Sequence, residues 1–180
     1  FFFKQKTAYE IRNCDWSSDV CSSDLDLYDE HGSRLQVCAP LFHDFGGKTD
    51  FCGPIKTLKA FEAFLLTKKT LATDGAGQVL VIDGGGSMRC AMLGDRLAQL
   101  ALDHNWAGVL INGCIRDSAA IARIPIGVKA IATNPTRPAE IEVGETDTAV
   151  HFAGVHFHPG HFLYADQDGI VVSETDLLGN

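Results

Sequence analysis

Two dipeptides carry the most suggestive chemistry in this 180-residue chain. Gly94-Asp95 stands where a helix should start, because Leu97, Leu100 and Ala101 follow at helical spacing. The unpaired N–H groups of a helix start attract anions. Taken alone, Asp95 reads as a plain N-cap worth ~1 kcal/mol; the functional alternative docks an anionic carboxylate ligand on those N–H groups. Arg116-Asp117 stands just past the buried-strand pattern of residues 108–113. Arg116 offers a planar fork of donors suited to a carboxylate or a developing enolate. Asp117 offers a hard oxygen ligand for Mg²⁺ or Mn²⁺, and Mg²⁺ needs only one or two protein carboxylates when water and substrate supply the rest. Adjacent opposite charges, taken alone, are a surface pair. Both dipeptides follow a strand, however, so both should reach the same sheet edge, where ligands of α/β folds gather.

Other candidates are weaker. Gly84-Gly85-Gly86 fits neither G-x-G-x-x-G, since position 89 is Arg, nor the P-loop, since no Gly-Lys-Ser/Thr follows. It reads as a tight turn at a strand's carboxyl end, which is also a place to build a site. His156, His158 and His161 form H-x-H-x-x-H, and on a strand the first two would share a face. Pro159-Gly160 breaks that strand, so solvent-facing histidines are expected over a metal site. His104 reads as a partner of a helix C-terminus. Nothing marks Cys114 as a nucleophile, and there is no G-x-S-x-G elbow.

These residues need elements to hold them. Val79-Leu80-Val81-Ile82 is a continuous apolar run, as in a strand buried on both faces. A helix from about Asp95, closed by Asn105 in the left-handed conformation, leads to a second buried strand over 108–113. Residues 118–123 read as helical and 128–133 as a third strand. Residues 26–37 hold a short helix or turn, 51–58 a strand with Pro54 at an edge or bulge, 62–73 a helix, and 149–172 short strands. Strand and helix alternating from 79 to 133 predict an α/β core, and the flanking β-rich segments predict a mixed or second sheet.

Composition bounds the function. Apolar residues make up 46% and charged residues 21%, an ordinary globular balance. No apolar run approaches the ~18 residues of a membrane span, so no membrane role is expected. A net charge of -8 disfavours nucleic acid. Cysteines at 14, 21, 38, 52, 90 and 114 form no C-x-x-C pair and suit reduced thiols in a cytoplasmic protein. Residues 1–25 (FFFKQKTAYEIRNCDWSSDVCSSDL) carry no regular period and resemble translated sequencing-adapter read-through. They are expected to be non-native and poorly packed, leaving residues 26–180 as one domain.

The stretches VLVIDGGGSMRCAMLGDRLAQLA, WAGVLINGCIRD and GVKAIATNP, with DLYDE, FGG near Gly46, FAGV and LYAD-x-DGIVVS, resemble the regulator of ribonuclease activity A family. Its enzymatic branch comprises class II 4-hydroxy-4-methyl-2-oxoglutarate aldolases. Those enzymes carry Gly-Asp and, twenty residues later, Arg-Asp; here residues 96–115 separate the two pairs. The resemblance implies that Gly94, Asp95, Arg96 and Leu97 bind pyruvate, that Arg116 contacts substrate and that Asp117 holds a divalent metal cation, Mg²⁺ or Mn²⁺. Asp95 would orient a water for proton transfer. It implies a phosphohistidine-type swivelling β/β/α domain with mixed sheets, a homotrimer or hexamer, and aldolase activity giving pyruvate with oxaloacetate decarboxylase activity. The alternative within the family is a non-catalytic regulator that binds and inhibits an endoribonuclease. The aldolases run longer at the C-terminus, where an acidic residue reaches a neighbouring subunit's site; nothing here maps onto it, which favours decarboxylation over efficient aldol cleavage.

Overall fold

A computed structural model describes residues 24–178. Helix α1 (Asp24–His31) and a 3-10 turn (Gly32–Arg34) precede strands β1 (Leu35–Val37), β2 (His43–Asp44) and β3 (Phe51–Lys59). Helix α2 (Leu65–Leu71) leads to β4 (Val79–Leu93), α3 (Asp95–Asp103), β5 (Gly108–Ile115), α4 (Ser118–Ile121) and β6 (Gly127–Thr133). The short strands β7 (Glu145–Thr146), β8 (Val150–Phe152), β9 (Val155–Phe157), β10 (Phe162–Ala165) and β11 (Ile170–Ser173) follow.

Strands β3, β4, β5 and β6 pair in parallel in that order, joined by helical crossovers. Antiparallel strands β10, β11 and β1 extend the sheet beyond β3, and β2 pairs with β6. With β7 against β3, this is a nine-stranded mixed sheet, and β8–β9 form a separate hairpin. The fold is therefore mixed α/β. The continuous apolar runs are explained by burial on both faces. Leu80, Ile82, Val109 and Ile111 pack with Leu97, Ala98 and Ala101 of α3 on one face. Val79, Val81 and Leu110 pack on the other with Val150, Phe152, Val155 and Phe157 of the hairpin. Alternation along each strand thus feeds two cores.

Several expectations shift. Gly84-Gly85-Gly86 does not end its strand. β4 continues to Leu93, and its register against β5 slips between Asp83 and Ser87 and again between Ser87 and Ala91. The strand bulges outward there, with Gly85 and Gly86 at φ +67° and +66°, where a side chain would be strained. Glu62 ties the bulge down: its Oε1 accepts hydrogen bonds from Ser87 Oγ and from Arg89 Nε at 2.8 Å. Pro54 sits where β3 passes from pairing with β10 to pairing with β4, so its missing N–H falls at a joint. Helix α2 is shorter than residues 62–73, and α4 stops at Ile121 rather than at residue 123. The first helix includes Asp24 and Leu25, which the sequence reading placed in the foreign segment. The expectation for residues 1–23 lies outside the described residues.

Candidate active site

Parallel pairing aligns the ends of β4 and β5: Leu93 lies opposite Ile115, and Arg116 N–H donates to Leu93 O at 2.9 Å. The dipeptides that follow these strands therefore start side by side. A Cβ built on Gly94 would lie 2.8 Å from Asp117 Oδ2 and 3.3 Å from Arg116 Nε. Position 94 has room for hydrogen only because both side chains fold over it. Arg116 Nε lies 3.3 Å from Asp117 Oδ2, and both side chains keep partial access to solvent. Asp117 holds φ +58°, a left-handed conformation that Asp tolerates better than most residues. Such strain, paid at the mouth of a cleft, is a common mark of a functional position.

Gly94, not Asp95, is the N-cap of α3, with no side-chain cap bond. Asp95 is the first helical residue, and its Oδ1 accepts the Arg96 backbone N–H at 2.7 Å. Leu97 N–H donates to Gly94 O at 3.0 Å. Two amides expected to meet a ligand thus already have partners within the helix start. The Asp95 N–H, first in the helix, has no carbonyl one turn earlier to meet.

Gly94, Asp95, Arg96, Leu97 and Arg116 all line one cavity of about 360 Å³, a size suited to a small molecule. Asp117 stands at its edge, against Gly94. Phe64, Met92, Leu93, Leu100 and Pro138 supply apolar surface. Lys68, Arg137 and Glu140 add charge that the sequence reading missed. In the sequence Lys68 merely adjoins Lys69, and Arg137 lies between Pro135 and Pro138, so neither belongs to a motif. What brings them in is the course of residues 134–141 over the strand ends: Asn134 N–H donates to Ile115 O, Ala91 N–H to Thr136 O, and Phe64 N–H to Ala139 O.

The donor set fits a mostly hydrated hard cation. Asp117 presents a partly exposed carboxylate, with Asp95 beside the same cavity, and a keto acid could complete the shell. Among the described residues, no group of three or more His, Cys, Asp or Glu side chains could hold a metal by itself. That includes the histidine cluster. The rings of His151 and His156 lie 4.2 Å apart and those of His158 and His161 4.8 Å apart, on the solvent side of the hairpin and the turn after it. His104 Nδ1 lies 2.9 Å from Leu100 O at the end of α3, as its position suggested. Asn105 closes that helix at φ +60°. Burial pushes the Cys114 thiol up, away from the thiolate that a nucleophile requires.

The Aldolase/RraA family profile matches residues 17–172. A protein of Aromatoleum aromaticum named "Putative 4-hydroxy-4-methyl-2-oxoglutarate aldolase" is 51% identical, covering 85% of this chain and 96% of that one. A Laribacter hongkongensis protein of the same name is 49% identical over 85% and 96%. Among solved structures, a Geobacillus kaustophilus protein named S-adenosylmethionine: 2-dimethylmenaquinone methyltransferase superposes with TM-score 0.86 at 48% identity, covering 87% of this chain and 98% of that one. The RNA-processing inhibitor RraA from Thermus thermophilis superposes with TM-score 0.83 at 39% identity, covering 86% and 94%.

Proposed function

The chain belongs to the Aldolase/RraA (RraA-like) family, and from that premise we propose that it is a divalent-metal-dependent carbon–carbon lyase. Its substrate is 4-hydroxy-4-methyl-2-oxoglutarate, cleaved to two pyruvates, and it also decarboxylates oxaloacetate. The observation that carries this reading is the meeting of Gly94-Asp95 with Arg116-Asp117 beside one small cavity. The names of the relatives support it. The methyltransferase name fits less well, since S-adenosylmethionine is a sulfonium cation and this cavity presents more positive than negative side chains.

The chemistry follows from the positions. Mg²⁺ or Mn²⁺, when bound, supplies Lewis acidity at the 2-keto oxygen; Asp117 would hold it, with water and the keto acid as further ligands. Arg116 donates to the oxygen on which enolate charge grows, an interaction stronger in the transition state than in the ground state. Gly94 lets the Arg116 and Asp117 side chains close over the strand ends, and the start of α3, Gly94 to Leu97, receives the pyruvoyl carboxylate through the Asp95 N–H. The Asp95 carboxylate is held at one oxygen by Arg96 N–H, which leaves Oδ2 to accept the C4 hydroxyl proton through a water. The C3–C4 bond then breaks, its electron pair stays on C3, and that carbon is protonated as pyruvate forms.

Three further points belong to the proposal. Helices on one face of the central sheet and a hairpin on the other support the swivelling β/β/α description. Exposed Phe61, Ile141 and Val143, close to the cavity in sequence, support burial in a homotrimer or hexamer. The thiols of Cys90 and Cys114 support a cytoplasmic location; among the described residues no helix is long and apolar enough to cross a membrane.

Pyruvate release from both substrates with Mg²⁺ or Mn²⁺ tests the assignment. Arg116→Ala should lower kcat by about 10²–10³-fold, and Asp117→Ala should remove the metal response. Equal activity in wild type and both variants removes the enzyme assignment. The resemblance to the Thermus RNA-processing inhibitor favours a second reading, a surface that binds an endoribonuclease. Retention of that nuclease by wild type and Asp117→Ala alike, without pyruvate release, would select it.

A further inference from the structure

The cavity and the chain differ in charge. The whole chain carries -8, yet the cavity walls carry Lys68, Arg96, Arg116 and Arg137 against only Asp95 and Glu140. Arg116 is paired with Asp117. Among the described residues, the side chains of Lys68, Arg96 and Arg137 have no ion pair or hydrogen bond. Unpaired surface cations are ordinary one at a time; three around one small cavity suit an anion.

Their placement has a direction. One wall is formed by the strand ends and the start of α3, with Gly94 and Arg116. The other is the segment that crosses from β6 toward α2. It is pinned by Ala91 N–H to Thr136 O at 2.9 Å and by Phe64 N–H to Ala139 O at 3.3 Å. Asn134 stiffens it further, donating through Nδ2 to Met88 O and accepting the Thr136 N–H on Oδ1. Arg137 lies between these pins, followed directly by Pro138, whose ring restricts it to extended conformations. Lys68, one helical turn beyond Phe64, comes from the same side. Glu140 shares that wall and offsets one of the two cations.

We infer that Arg137, assisted by Lys68, binds the distal carboxylate of a dicarboxylic 2-keto acid. The inference rests on the keto-acid lyase reading and adds which wall takes which end of the substrate. It also separates the two reactions. In aldol cleavage the C3–C4 bond breaks, the electron pair goes to C3, and the distal carboxylate leaves intact on the second pyruvate. A cation upon it is equally useful before and after. In oxaloacetate decarboxylation that carboxylate is itself lost as CO₂, and its charge passes into the enolate. A cation held on it stabilises the ground state more than the transition state and slows the step. Arg137 therefore biases the site toward cleavage.

Steady-state pyruvate release by the full chain with Mn²⁺ tests this, comparing wild type with Arg137→Gln and Lys68→Gln. Arg137→Gln should raise KM about tenfold for both dicarboxylates, the loss of one charge-assisted contact. It should leave kcat for cleavage no higher and raise kcat for decarboxylation. Inhibition by oxalate, which has the shape of the pyruvate enolate and no distal carboxylate arm, should not change. Arg137→Lys should recover part of the KM. Calorimetric binding of 2-oxoglutarate gives a readout without turnover and should weaken about tenfold in Arg137→Gln. An active wild type whose KM and 2-oxoglutarate affinity ignore the substitution overturns the inference and leaves the lyase reading standing. Oxalate inhibition weakened as much as dicarboxylate binding also overturns it. An inactive wild type that binds 2-oxoglutarate through Arg137 sinks the lyase reading and upholds the anion site.

Discussion

A methyl group at position 94 would meet Asp117 Oδ2 at 2.8 Å and Arg116 Nε at 3.3 Å. Arg116 can shift, but the nearer neighbour cannot swing away, because Asp117 is short and held at φ +58°. Gly94→Ala should therefore disturb the paired side chains while the buried sheet beneath stays intact. The expected outcome is a drop of about tenfold or more in kcat/KM for pyruvate release, with a melting temperature within a few degrees of wild type. A similar separation is expected at Asp117. Asn also tolerates the left-handed conformation, so Asp117→Asn should fold normally and lose the metal response. A loss of Tm comparable to a core truncation in either variant would make these positions structural. The sequence carried the residue types and their spacing, and parallel strand order did the rest. It did not carry the cap. Asp95 has the preferred N-cap chemistry, but the bond from Leu97 N–H to Gly94 O starts the helix one residue earlier.

Bulged β4 was the element least legible in the sequence. Three glycines normally signal a turn, and here they let a strand leave and rejoin its partner. The signal that decides this is remote: Glu62, 25 residues earlier, clamps Ser87 and Arg89. The Arg89 and Ser87 hydrogen bonds hold the Glu62 carboxyl below its ordinary value of 4.5. A carboxylate depressed on folding stabilises the fold above its unfolded pKa, and that contribution disappears as pH falls through the lower folded value. Wild type should therefore melt above Glu62→Gln at neutral pH, and the gap should close as the buffer is taken below the carboxylate range. A gap independent of pH would mean that the clamp acts by shape alone. At the other end of the sheet, Tyr164 joins β10 to the C-terminal segment. Its hydroxyl donates to Asp176 Oδ1 at 3.0 Å and accepts Leu177 N–H at 2.7 Å, and burial pushes its pKa upward, keeping it protonated. Tyr164→Phe should cost about 1–3 kcal/mol in chemical denaturation. The buried strands, by contrast, were read easily, since apolar runs on both faces of a parallel strand leave little choice of element.

Over the whole molecule, an acidic chain presents a cation-rich cavity. Net charge, read from composition, says nothing of that local reversal; it arises because residues 134–141 cross the strand ends and bring Arg137 from a distance of 21 positions to Arg116. Such a field is screened by salt, so KM for a dianionic substrate should rise between about 0.05 and 0.5 M NaCl, with a smaller change for monoanionic inhibitors. A salt-independent KM would mean that the cations do not face the substrate. One site, made from two distant dipeptides around a hard cation, carries the proposed chemistry. Its most direct test is calorimetric titration of oxalate in the presence of Mn²⁺. Wild type should bind one oxalate per chain, Arg116→Ala and Asp117→Asn should abolish that binding, and Arg34→Ala, whose guanidinium bonds Thr175 Oγ1 away from the cavity, should leave it unchanged. Equal affinity in wild type, Arg116→Ala and Asp117→Asn would contradict the account.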